Sequence, residues 1–157
     1  MEKDNLPNQI TIADTSCLII LTKIDELDIL KSVFSKIYIT DKIAEEFKEE
    51  LPNWIEVVNV KFEDYKTIAE IIDEGEATAI AMSLKMDNSL LILDDIRARK
   101  YALSLGINII GTLGVIVKAQ KEGKINSALS LIEKIQETNF RVSDKIFEQI
   151  KKALHQK

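Results

Sequence analysis

Short apolar runs alternate with longer stretches of helical periodicity along this chain, and that alternation leaves few folds open. Ile10-Thr11-Ile12-Ala13, Lys36 to Ile39, Leu90-Leu91-Ile92-Leu93 and Asn108 to Ile110 read as strands. Their apolar character suits strands covered on both faces, as in a parallel sheet. Between them, Thr15-Ser16 opens a helix carrying Leu18, Ile19 and Leu21, and a second short helix covers Glu26 to Lys31. Thr40 or Asp41 caps a helix running to about Glu50, before Pro52, and Trp54 to Val60 is a short edge strand. Further helices are expected over Glu63 to Ile72, Glu76 to Met86 and Ile96 to Leu105, with Gly106 closing the last. Gly111-Thr112 leads into a segment ending at Gly123. Asn126 or Ser127 then caps a helix with Ala128, Leu129, Leu131, Ile132 and Ile135 on one side. Ser143 or Asp144 opens a final helix with the stripe Ile146, Phe147, Ile150 and Leu154. The expectation is an α/β fold of three layers, α/β/α, around a central parallel sheet. It forms one domain, 1–157, with 124–157 as C-terminal helices.

Composition excludes whole classes of chemistry. The hydrophobic fraction of 46% can fill a core, and a charged fraction of 30% with few Pro and Gly argues against disorder. No stretch approaches the roughly 20 apolar residues of a membrane helix. Met1 to Leu6 lacks the basic start and apolar core of a leader, and Cys17 is alone, so a cytoplasmic protein is expected. The one His is His155, near the C-terminus. Ser-His-Asp and Cys-His devices and zinc sites of His and Cys therefore lack their parts. No Gly-rich phosphate loop of the GxxxxGK[ST] type appears. A net charge of -5 counts against strong non-specific nucleic-acid binding, though bound divalent ions invert the field of an acidic cleft.

Five carboxylates remain: Asp14, Glu46, Glu76, Asp94 and Asp95. Asp14 directly follows the first strand run, and Asp94-Asp95 directly follow the Leu90–Leu93 run. Sites in open parallel sheets form beyond the carboxyl ends of strands. Each acid also has a plainer reading. Asp14 fits a helix N-cap, although Thr15 and Ser16 could cap equally well. Glu46 borders the buried stripe of Ile43, Ala44 and Phe47, while Glu45 lies nearly opposite it; a solvated surface pair is the commoner case. Glu76 opens a helix of small residues, where the helix dipole alone favours an acid. One of Asp94 and Asp95 caps the next helix, and Arg97 and Arg99 pair with acids, touch phosphate or stay in water. Side chains alternate along a strand, so the two aspartates should not share a target; Asp94 is the preferred ligand and Asp95 the cap or support. Two such carboxylates at about 4 Å repel by roughly 4 kcal/mol at an effective dielectric of about 20. A cluster of four or five needs protons or hard, oxygen-ligated cations such as Mg²⁺ or Mn²⁺.

In this order, the motifs resemble those of PIN-domain proteins over nearly the whole chain. Ala-Asp-Thr-Ser at 13–16 is similar to the PIN opening, Ile43-Ala44-Glu45-Glu46-Phe47 to the second acidic motif, and Gly75-Glu76-Ala77-Thr78-Ala79-Ile80-Ala81 to the third. Leu93-Asp94-Asp95-Ile96-Arg97-Ala98-Arg99 and Ile110-Gly111-Thr112-Leu113-Gly114 resemble a prokaryotic PIN-like subgroup of largely unknown function. Leu93-Asp94-Asp95 stands where Thr-x-Asp is usual in PIN toxins. The resemblance implies a divalent-metal-dependent nuclease acting on RNA, with Asp14, Glu46, Glu76 and Asp94 or Asp95 at the metal. It further implies a toxin of a toxin–antitoxin pair, with a small antitoxin protein and a homodimer as partners. The wide apolar faces of the C-terminal helices suit either an interface or the core. The competing class is a non-catalytic module on the same fold, binding RNA or protein. Aspartyl-phosphate chemistry is disfavoured: Asp14-Thr15-Ser16 lacks the second Asp two residues on.

Overall fold

The computed structural model describes residues 9–140 and 142–155. The segment read for a leader, and both ends of the expected domain, lie outside the described residues. Five parallel strands form one sheet in the order β3-β2-β1-β4-β5: β1 (Ile10–Ala13), β2 (Ile37–Thr40), β3 (Ile55–Val58), β4 (Ser89–Ile92) and β5 (Asn108–Ile110). Parallel neighbours require crossovers, and helices supply them. They are α1 (Thr15–Lys23), α2 (Asp28–Phe34), α3 (Asp41–Phe47), α4 (Phe62–Tyr65), α5 (Glu74–Leu84), α6 (Ile96–Ser104), α7 (Thr112–Lys121), α8 (Ala128–Gln136) and α9 (Asp144–His155). The three-layer α/β/α expectation is met. No helix among the described residues is long and apolar enough to cross a membrane.

The register aligns the strand ends. Ala13 pairs with Ile92, and Ile92 with Ile110, so β1, β4 and β5 finish on one edge. The chain leaves β1 toward β2 and β3, then returns to the other side for β4 and β5. The switch of direction falls between β1 and β4, where such sheets open a crevice. Helix α5 precedes β4 and begins at this same edge. Its stretch Gly75 to Ser83 is entirely buried. A helix covered all round must be apolar or small on every face, and Ala77, Ala79 and Ala81 meet that demand. Glu76 is the one acid inside that stretch.

Several element ends differ from expectation. The second helix starts at Asp28, because Asp25 takes a left-handed φ of 58° and Glu26 N–H turns back to Leu21 O. Helix α3 stops at Phe47, where Lys48 adopts the left-handed conformation and closes on Ala44 O. The expected helix over Glu63 to Ile72 is split into α4 and a 3₁₀ turn, Ile68–Glu70, with Tyr65, Ile68 and Ile72 turned inward. Helix α5 starts at Glu74, capped by Asp73 rather than beginning at Glu76. Gly106 carries a φ of 79° after α6, and Ser127 caps α8. The C-terminal helices spend most of their apolar surface on the core: Ala128, Leu131, Ile132, Ile135 and Ile150 are buried. Ile146, expected in the stripe of the last helix, is 43% exposed.

Candidate active site

Asp14 stands at the end of β1, and its N–H donates to Ile92 O of β4 at 3.1 Å. It occupies the N-cap position of α1, yet its side chain makes no capping hydrogen bond. The capping explanation therefore leaves its carboxyl unexplained. That carboxyl is 4% exposed and held well above its usual range. Burial is the main cause; an N–H from Thr15 opposes it, and the charges of Glu76, Asp73 and Glu46 add to it.

Glu76 enters from the first turn of α5 and is 8% exposed. Burial, then the charges of Asp73 and Asp95, push its carboxyl up to about 7. Glu46 comes from the last turn of α3 and remains exposed. Thr15 Oγ1 donates to Glu46 Oε1 at 3.0 Å, tying α3 to the start of α1. Burial raises the Glu46 carboxyl, the Thr15 hydroxyl lowers it, and Asp73 and Glu74 raise it.

Asp94 and Asp95 diverge. Asp94 Oδ1 accepts from Thr112 N at 2.7 Å and its Oδ2 from Thr112 Oγ1 at 2.5 Å. Both oxygens thus serve the start of α7, whose own N-cap, Gly111, offers no side chain. Asp95 caps α6, with Oδ2 accepting from Ala98 N at 2.9 Å. It is exposed, and its charge is felt by Glu76. Arg99 Nη1 donates to Leu93 O at 2.8 Å and braces the turn, while Arg97 faces solvent.

Asp73, Thr15 and Thr112 belong to this neighbourhood; Thr15 and Thr112 were read from sequence only as parts of helix starts and motifs, and Asp73 was not singled out. Asp73 Oδ1 accepts from Glu76 N at 2.9 Å. The local signal was present: an acid three residues ahead of Glu76 is the spacing of a helix N-cap. Cys17 is fully buried beneath the site, and burial, with the charges of Asp94 and Asp14, pushes its thiol up. It is no thiolate nucleophile at neutral pH.

Among the described residues, no Lys, Arg or His forms an ion pair with Asp14, Glu46, Glu76, Asp94 or Asp95. Nor do three acids there converge closely enough to grip one ion as they stand. They sense one another's charge without meeting at a point. The chemistry of the donor set still fits a hard divalent cation: every group is a carboxylate oxygen, and the most buried one has no cationic partner.

A family model, DUF3368, described as a PIN domain, matches residues 10–156. The chain belongs to the PIN-domain family. Neither a curated protein nor a solved structure matches it. PIN domains are generally nucleases and typically use divalent metals. In this PIN domain the carboxyl edge of the sheet carries acids from β1, α3, α5 and the β4–α6 turn.

Proposed function

We propose that this PIN protein is an endoribonuclease dependent on Mg²⁺ or Mn²⁺. The observation that carries the reading is Asp14, a buried carboxylate at the β1–β4 switch point, facing the charges of Glu76 and Glu46 with no cationic partner. Asp14, Glu46 and Glu76 would hold the ion, directly or through water, with Asp73 as a further carboxylate at the rim; Asp95 would join them in place of Asp94, the ligand preferred from sequence, because both Asp94 oxygens accept from Thr112 while Asp95 gives only Oδ2 to Ala98 N. Asp94 would act one step removed, by fixing the strand-to-helix turn through Thr112. When bound, the ion supplies an acidified water and neutralises charge growing on the phosphodiester.

The chain's own groups do the rest. With its carboxyl pushed up to about 7, Glu76 would take up a cation in competition with a proton. Thr15 holds the exposed Glu46 carboxylate in place. The N-termini of α1, α5 and α6 point their positive dipole ends at the same edge, easing the crowding of acids and attracting an anionic strand. The same reading extends to a cytoplasmic toxin with a small antitoxin protein and a second copy of the chain as partners. Ile96 and Leu103 on α6, 71% and 58% exposed, are apolar surface open to either.

The deciding assay is RNA cleavage in Mn²⁺ against EDTA. Asp14→Asn is expected to lower cleavage at least about a hundredfold, since even residues that merely support a metal ligand cost 10- to 100-fold. Its thermal stability should hold or rise, because a buried charge is removed. Equal cleavage in EDTA, or full activity of Asp14→Asn, would sink the metal reading. Absence of Mn²⁺ binding would favour the non-catalytic module.

A further inference from the structure

Glu46 reaches the acidic edge from α3, and its carboxylate lies across the first turn of α5, directly on Gly75. A Cβ built on Gly75 would overlap Glu46 Oε1 and stand 2.9 Å from Glu46 Cδ and 3.4 Å from Oε2. No side chain larger than hydrogen fits at 75 while Glu46 keeps this position. The backbone gives no other reason for glycine there. Gly75 is not among the residues with positive φ, and inside a helix alanine is the better residue. The obstructed group is the far end of a flexible side chain, so an added methyl displaces the carboxylate rather than the fold.

A buried hydrogen-bond chain holds α3 and α5 at this close approach. Thr40 Oγ1 accepts from Ile43 N at 3.2 Å and lies 2.7 Å from Thr78 Oγ1. Thr78 Oγ1 donates to Gly75 O at 2.7 Å. A hydroxyl has one proton, so with Thr78's on Gly75, Thr40 is the donor to Thr78. Both threonines are completely buried. The chain therefore ends on the carbonyl of the same glycine that receives Glu46, and the oxygen seated on that glycine, Glu46 Oε1, is the one that accepts from Thr15 Oγ1 at 3.0 Å.

We infer that Gly75 is a positioning residue: its bare Cα, anchored by the Thr40–Thr78 clasp, is the seat that sets the Glu46 carboxylate beside Thr15 at the mouth of the crevice. The consequence for cation binding rests on the proposed metal site; the seat itself does not.

The test uses the full chain. Gly75→Ala is expected to weaken Mn²⁺ binding, read by calorimetry, about tenfold or more, while the metal-free melting temperature holds or rises. In a Glu46→Ala background the same change should alter Mn²⁺ affinity less than about twofold, because the seat has lost its occupant. A crystal structure of metal-free Gly75→Ala should show the Thr15–Glu46 contact broken. Wild-type Mn²⁺ affinity in Gly75→Ala, equal losses in both backgrounds, or a retained Thr15–Glu46 contact would each overturn the inference. Should Gly75→Ala fail to fold, Thr78→Val should weaken Mn²⁺ binding and Thr78→Ser restore it; equal affinities of the two overturn it. If the wild-type chain binds no Mn²⁺, the metal reading fails, and the crystallographic contact alone decides the seat.

Discussion

Glu76 shows how a single position can couple stability to pH. Burial opposes its charge first, and two neighbouring aspartates add to that. Its carboxyl moves from about 4.5 to about 7 on folding. Between those values the native state holds a proton that the unfolded chain has released. The stability it contributes is complete below about 4.5 and lost as pH rises through about 7. The displacement corresponds to about 3 kcal/mol, and water at the open side of the site reduces this to about 2 kcal/mol. Urea denaturation of the metal-free protein should find Glu76→Gln more stable than the parent by that amount at pH 8, and equal to it at pH 4. Superimposable pH profiles would contradict the burial argument. Cation binding has the opposite dependence: it expels the proton, so Mn²⁺ affinity should weaken as pH falls below about 7, by up to roughly tenfold per pH unit.

At the scale of elements, the start of α7 is the clearest case of one segment completing another. Its first-turn N–H groups need acceptors, and Gly111 has none to give. Asp94, arriving from the end of β4, accepts from both Thr112 N and Thr112 Oγ1. A negative charge at a helix N-terminus is also favoured by the dipole. Thr112→Val removes the hydroxyl donor from a charged acceptor, a change that costs about 2 kcal/mol. Thr112→Ser should retain most of that stability. Chemical denaturation of the two variants distinguishes the hydroxyl from simple packing: if serine is as damaging as valine, the hydrogen bond is not what holds the element. Helix α3 illustrates the reverse limit. It ends at Phe47, and Lys48 pays a left-handed backbone to close it, which keeps Glu46 in the final turn rather than mid-helix.

Across the whole molecule, one apolar cluster runs from the sheet into the last helices. Ile116 of α7, Ile132 and Ile135 of α8 and Ile150 of α9 all belong to it. Removing 124–157 strips these contacts from α7 and leaves the face that met α8 and α9 in water. The shortened chain is therefore expected to lose cooperative urea unfolding, monitored by circular dichroism. A sharp transition of undiminished midpoint would show instead that the last helices are an addition to an independent core. With most of those faces spent inside, the most exposed large apolar side chains are Ile96 and Leu103 of α6 and Phe62 of α4, while the last helix leaves Ile146 partly in water.

The strands were legible because their signal is local. Ile10–Ala13 and Asn108–Ile110 have the expected bounds, and β2 and β4 differ by one residue at each end. Their alternation with helices was enough for a parallel three-layer fold, and it set Asp14 at a strand end. What the acids do there was not legible, because it depends on approach between segments far apart in the chain. Whether Asp94 or Asp95 turns toward Glu76 is decided by where Thr112 arrives, 18 residues later. Asp73 joins the edge because α5 begins at Glu74, two residues before the expected start, where its cap satisfies Glu76 N. Glu46 looked like half of a solvated pair until α3 met α5 at Gly75. Periodicity records which face of an element is apolar; it carries no information on which two faces meet, and the distances between carboxylates are set only by that meeting.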